Sequence, residues 1–282
     1  LISKLIYNRP VYFVKEFGKN YSSYFTPQFF YQSSGSQTQF AIPGENLFGL
    51  PVLLIGIVGI YFLIRKKSKS GLLILSWLLL SPVAAAITDS PPQALRPNPM
   101  IPAVILLAGY ALSRFPKVIK TILLIICAVS FTFYLNTYFS SYRLNYSPSW
   151  QYGYQEVVDY IKNNQSKYDH VIFTKKYGEP HIFYAFFSSL SPEVLQNSKD
   201  SLRFFQSGWY WTDRINNIYF VNDWDIPNQT STGFIKLESG ERVPTNNTLL
   251  ITSPGRVPAN AEILKTVAFL DGKPAFLITH IK

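Results

Sequence analysis

Residues 47–88 read LFGLPVLLIGIVGIYFLIRKKSKSGLLILSWLLLSPVAAAIT, two apolar runs parted by a short basic island. Residues 47–64 carry no charge, and as a helix they cover most of a hydrocarbon core of about 30 Å. Arg65, Lys66, Lys67 and Lys69 stop that run. Residues 71–88 offer a return crossing, and Pro82 inside it is tolerable because membrane helices accept proline where neighbours re-satisfy the backbone. Beyond them, 99–113 (around MIPAVILLAGYAL) is short for a span unless it draws on its flanks or is buried among other helices. Residues 118–138, around TILLIICAVSFTFYL, end in Tyr134, Tyr138 and Phe139, as an interfacial belt would. The predicted fold class is a polytopic α-helical membrane region of about four spans, followed by a small mixed α/β extracytoplasmic domain over 139–282.

The 282-residue chain carries a net charge of +10 at pH 7. Much of it sits in RKKSKS and SRFPKVIK, wedged between apolar runs, where the positive-inside rule places basic loops. The remaining bases are scattered and follow no nucleic-acid-binding pattern, so nucleic acid is not an expected partner. With four crossings both basic islands fall on the cytoplasmic face. Residues 1–46, the loop at 88–99 and the C-terminal domain then share the outer face of a multi-pass cell-membrane protein. Cys127 is the single cysteine and lies in an apolar run, which reads as a small buried hydrophobe. The chain opens at Leu1 and its one methionine is Met100, the pattern expected of a C-terminal piece of a longer membrane protein.

Residues 1–46 mix aromatics with Lys4, Arg9, Lys15, Glu16 and Lys19, which suits a segment lying among lipid headgroups rather than crossing them. In the C-terminal region YQEVVDYIKNNQ has helical spacing and HVIFT reads as a strand. NIYFV, TLLITS and ILKTVAFLDGKPAFLITHI supply further strands, the last folded at DGK. His170, His181 and His280 are far apart, with no metal-ligand spacing, and read as structural. KKYGEPH is dense in polar groups, which a tight turn before a helix explains as well as chemistry does. Five Asn-x-Ser/Thr matches in so Asn- and Ser-rich a chain carry no functional weight.

The loop TDSPPQALRPNP, 88–99, holds Arg96 between Pro91, Pro92, Pro97 and Pro99. A guanidinium on so stiff an arch suits bidentate capture of phosphate. It equally suits an arginine snorkelling to headgroups, and both readings stand on the residues alone.

NYSSYFTPQFFYQSSGSQTQFAIPGENLFGLPVLLIGIVGIYFL resembles a late loop and span of the GT-C superfamily of membrane glycosyltransferases, related to protein mannosyltransferases and the lipid A aminoarabinose transferase. SWLLLSPVAAAITDSPPQALRPNPMIPAVILLAGYAL resembles the next helix pair, and WQYGYQEVVDYIKNNQSKYDHVIFTKKYGEPHIFYAFF the soluble extension of some bacterial members. The resemblance implies transfer of a sugar from a polyprenyl-phosphate donor to an acceptor on the outer side, with membrane lipids and the lipid-linked sugar as partners. It implies that Arg96, helped by Lys19, neutralises the donor phosphate and that Asp89 orients Arg96 or contacts the donor. Tyr21, Tyr24, Phe25, Phe29 and Phe30 would line an acceptor or lipid groove. The family's catalytic acid lies on an early outer loop with no counterpart here, so no catalytic residue is assigned and this piece is expected to be inactive alone. Metal dependence stays open. The competing classes are a non-enzymatic membrane-anchored binding or scaffold module and a transporter fragment, with Lys120 as the latter's nearest intramembrane charge.

Overall fold

Asn8 begins the described structure by capping a helix, its side chain accepting from Val11 N at 2.9 Å. The computed structural model describes residues 8–32, 38–67, 69–88, 92–196, 199–226 and 232–282. Two units separate, one running to Tyr146 and the other Ser147–Lys282.

In the first unit, α1 (Arg9–Ser23) and the short α2 (Pro27–Gln32) precede α3 (Leu50–Lys66), α4 (Lys69–Leu80) and α5 (Val83–Ala86). Then come α6 (Met100–Arg114) and α7 (Lys117–Thr137). The last continues through a π-helical turn, Tyr138–Tyr142, into α8 (Arg143–Asn145). The expectation of about four spans is not met. Among the described residues two helical stretches are long and apolar enough to cross a membrane, Lys69–Ala86 and Lys117–Asn145. The two other expected spans are shorter. α3 has 17 residues and closes on Arg65 and Lys66, and α6 has 15. At 1.5 Å per residue these reach about 25 and 22 Å, short of a hydrocarbon core of about 30 Å. A sidedness deduced from four crossings loses its footing with them.

What α3 and α6 lack in length they make up in closeness. Gly56 and Gly59 of α3 face Val104 and Leu107 of α6. A Cβ added at Gly59 would run into the Leu107 carbonyl, whereas one at Gly56 would sit 3.5 Å from Val104 O, an ordinary contact. Ala103, Ala108 and Ala111 keep the α6 side small and are buried. Small residues that let backbones approach are how helices pack where no water drives them together. α7 differs: it buries no residue, and Val118, Ile122, Leu124, Ile125 and Phe131 are exposed along it. Its Leu123 and Cys127 are half-buried and pack against Ile55, Ala108 and Ala111.

The second unit is a seven-stranded mixed sheet in the order β2-β3-β4-β1-β7-β9-β8. α9 (Tyr154–Asn164) precedes β1 (His170–Thr174), and α10 (Pro180–Phe187) and α11 (Pro192–Gln196) follow it. The sheet continues with β2 (Ser201–Gln206), β3 (Trp209–Ile215) and β4 (Ile218–Val221). β5 (Phe234–Lys236) and β6 (Arg242–Pro244) pair separately, before β7 (Thr248–Thr252), β8 (Ala261–Ala268) and β9 (Pro274–Ile281). β1 runs parallel to β4 and β7, with Phe173 beside both Phe220 and Ile251. The remaining pairings of this sheet are antiparallel. Alternation sorts the β1 side chains. Val171 and Phe173 join Val157, Val158 and Ile161 of α9 in one core. Ile172 and Leu250 turn the other way, onto Ile235 and Val243 of the β5–β6 pair. The DGK turn joins β8 to β9 through Gly272 at φ 84°, a conformation glycine accepts freely.

The α3–α6 contact gives a paired expectation. Gly59→Ala should destabilise the helical unit by about 1–3 kcal/mol, the usual range for overpacking. Gly56→Ala should change it little, and unfolding of both variants by SDS titration in mixed micelles compares them.

Candidate functional site at the Arg96 loop

The loop before α6 is wound by short turns: Asn98 N donates to Leu95 O at 3.3 Å and Met100 N to Pro97 O at 2.7 Å. Ala94 and Pro97 are buried while Arg96 is exposed. Arg96 Nη1 donates to Thr88 Oγ1, and Thr88 Oγ1 in turn donates to Ala85 O at 2.7 Å. The hydroxyl thus ties the arginine to the end of α5. Asp89, the other donor-site residue expected on this loop, lies outside the described residues.

Beneath the loop sits the aromatic segment. Tyr24 is wholly buried and meets Phe29 edge-on with ring centroids 5.1 Å apart. Burial raises the Tyr24 pKa, and the Gln93 backbone and the Arg96 charge pull it partly back, so Arg96 lies within electrostatic reach of this ring. Contacts continue from Phe29 to Phe30 at 5.3 Å and from Phe30 to Phe48 at 5.8 Å. Two polar groups fix α1 to the helices beside it. Tyr21 OH donates to Leu79 O at 2.9 Å, and Asn20 Nδ2 to Ala86 O at 3.2 Å. Tyr21 also stands 5.4 Å from Phe25.

Two cavities flank this cluster. One of about 370 Å³ is apolar and lined by Phe25, Phe30, Ile57, Ile60, Met100 and Val104 among others. The other, about 140 Å³, lies against the Arg96 loop itself, between Phe29, Ala94, Pro97 and Asn98 on one side and Glu45 and Asn46 on the other. Glu45 Oε1 accepts from Thr137 Oγ1 at 3.1 Å. The structure therefore groups Tyr21, Tyr24, Phe25, Phe29 and Phe30 with the Arg96 loop. Phe25 and Phe30 face the apolar cavity, while Tyr24 and Phe29 are packed core. Lys19 stands apart: it is exposed and pairs with Glu16 of its own helix at 3.7 Å.

A second polar constellation, unforeseen from sequence, lies where β1, β4 and β7 end. Asp223 is buried and takes hydrogen bonds from Thr174 Oγ1 at 2.8 Å, Thr252 Oγ1 at 3.2 Å and both Ser253 donors. Lys175 Nζ lies 2.6 Å from Asp213 and 2.6 Å from Glu238. Burial opposes ionisation of Glu238, but hydrogen bonds from Lys175 and Asn222 and the Lys175 charge bring its pKa below the usual range. Among the described residues no group of three or more His, Cys, Asp or Glu is placed to hold a metal ion. Carboxylates and cation satisfy one another here, which describes a structural clamp.

His181 is the titratable group beside that clamp. Burial, then the charges of Arg203 and Lys175, lower its pKa to about 4. Its 3.2 Å contact from Nδ1 to Glu179 Oε2 suits a neutral imidazole donating there.

Comparison of the chain with known protein families, with curated proteins and with solved structures finds no match.

The unfolded chain binds a proton at His181 below pH 6.5, but the folded one does so only near pH 4. Stability should therefore fall as pH drops from 6.5 to about 4, by at most about 3 kcal/mol. His181→Gln should flatten that slope, read from hydrogen exchange of β1 and β4 amides across the pH series.

Proposed function

We propose that the chain is part of a membrane glycosyltransferase that handles a polyprenyl-phosphate-linked sugar, with the Arg96 loop at the donor phosphate. The observation that carries this reading is an exposed guanidinium within electrostatic reach of a buried aromatic cluster, whose Phe30 and Met100 border an apolar cavity of about 370 Å³. A polyprenyl phosphate has the matching parts, a long apolar tail and a compact anionic head. In this reading the tail lies along Phe25, Phe30 and the α3–α6 face. Arg96 offers its fork of donors to the phosphate and stabilises the charge that grows there as the glycosidic bond breaks. Thr88 holds the guanidinium in place, and the tie of α1 to α4 and α5 keeps the aromatic wall against the loop. A carboxylate from elsewhere in the complete enzyme would activate the acceptor hydroxyl. Lys19, engaged by Glu16, is left out of the donor site.

A non-enzymatic role as a membrane-anchored binding module is the second reading. It is favoured by the self-contained core of Ser147–Lys282.

The test is transfer from a radiolabelled polyprenyl-phosphate sugar in membranes carrying the complete enzyme that includes this chain, comparing Arg96→Ala and Arg96→Lys with wild type at equal insertion. Loss of roughly a hundredfold in both variants is expected for a preorganised charge-stabilising fork. Wild-type transfer in Arg96→Ala would remove Arg96 from the donor site, and no transfer by any form would favour the binding module.

A further inference from the structure

The second unit carries a groove of about 500 Å³ between the turn at 150–153, α9, α10 and β8, within the range of ligand sites. It lies apart from the Asp223 and Lys175 clamp, and its lining is of two kinds. Aromatic faces come from Trp150, which is 55% exposed, and from Phe183 and Phe187. Phe183 is itself stacked flat on the buried Tyr154, with centroids 4.2 Å apart and planes 14° from parallel. Phe187 follows at 6.5 Å with planes 18° apart, and both rings pack against the core of this unit.

Between these faces runs the outward ridge of α9. Glu156, Asp159 and Asn163 recur at helical spacing on that ridge, all exposed, while Val157, Val158 and Ile161 of the same helix are buried. Lys265 of β8 reaches across to Glu156 at 2.8 Å, which neutralises one carboxylate and leaves Asp159 as the remaining charge. The groove therefore presents aromatic faces beside a row of carboxylate and amide groups, with little net charge.

We propose that this groove binds a neutral oligosaccharide. A pyranose ring has an apolar C–H face and a rim of hydroxyls, each both donor and acceptor. The C–H face suits Trp150 and the Phe183–Phe187 pair, because aromatic faces carry the negative side of the ring quadrupole. The hydroxyls suit Asp159 as acceptor and Asn163, whose amide gives and takes. A purely apolar ligand would bury the Asp159 charge without a partner, at a cost. An acidic sugar would meet that charge as repulsion. Binding here requires no transfer chemistry, so it stands or falls apart from the donor-site reading.

The experiment uses the whole chain in lipid nanodiscs, since sugar-headed detergents would compete. Cellotetraose, maltotetraose, mannotetraose and chitotetraose are titrated singly, read by calorimetry and tryptophan fluorescence. At least one is expected to bind with Kd under about 1 mM, with about tenfold weaker binding in Trp150→Ala and in Asp159→Asn. Asp159→Asn keeps the shape of an exposed residue, so its loss of binding is not a folding failure. Phe205→Ala, an exposed aromatic of β2 outside the groove, should bind as wild type. No binding of any of these sugars at about 10 mM, or binding unchanged in both groove variants, overturns the proposal. Saturable binding of a peptide in place of every sugar would do the same.

Discussion

The Leu107 carbonyl of α6 stands where a side chain on Gly59 of α3 would begin, and the arrangement of the helical unit follows from that contact. With no Cβ in the way the two backbones meet along the Gly56–Gly59 edge, and the start of α6 is held in place. Pro97 and Asn98 lead directly into that start, so Arg96 is carried by the same contact. The aromatic segment then closes over what remains open, with Tyr24 and Phe29 filling the interior and Phe25 and Phe30 bordering the cavity. A bulkier residue at position 59 would thus disturb a loop nearly forty positions downstream.

The second unit rests on a different constraint. Three parallel strands end together, and their last residues bring Thr174, Asp223, Thr252 and Ser253 to one point. A buried carboxylate there is tolerable because four donors meet it. Asp223 in this way ties together the ends of three strands that are far apart in sequence. The outer groove on α9 is free of such demands, and its polar residues point to solvent.

The sequence displays some of this directly and hides the rest for identifiable reasons. Residues 154–164 carry helical spacing and form α9, and DGK between apolar runs is the β8–β9 turn. Helix length is less legible. The run at 47–64 counts as a span by its lack of charge, but Gly49 at φ 74° and Pro51 delay the helix to Leu50. The run at 71–88 behaves differently: Pro82 puts a turn between α4 and α5, yet Lys69–Ala86 stays long and apolar enough to cross. Asp213, Asp223 and Glu238 have no local spacing that marks them, since only the folded chain brings Asp213 and Glu238 to Lys175 and Asp223 to Thr174, Thr252 and Ser253. For the Arg96 loop the proline pattern identifies the arch, but only packing shows that Thr88 holds the arginine and that Lys19 belongs to Glu16.

The central claim is that the apolar cavity bordered by Phe25, Phe30, Ile57 and Ile60 receives the tail of a lipid phosphate. Its most direct test is photocrosslinking of the purified protein in nanodiscs with a polyprenyl phosphate bearing a benzophenone in its isoprenoid tail, followed by peptide mapping. The account predicts adducts concentrated on Phe25, Phe30, Ile57 and Ile60, displaced by excess unlabelled polyprenyl phosphate. Adducts spread along the exposed face of Lys117–Thr137, and unaffected by competitor, would mean that the lipid is merely solvent to this chain.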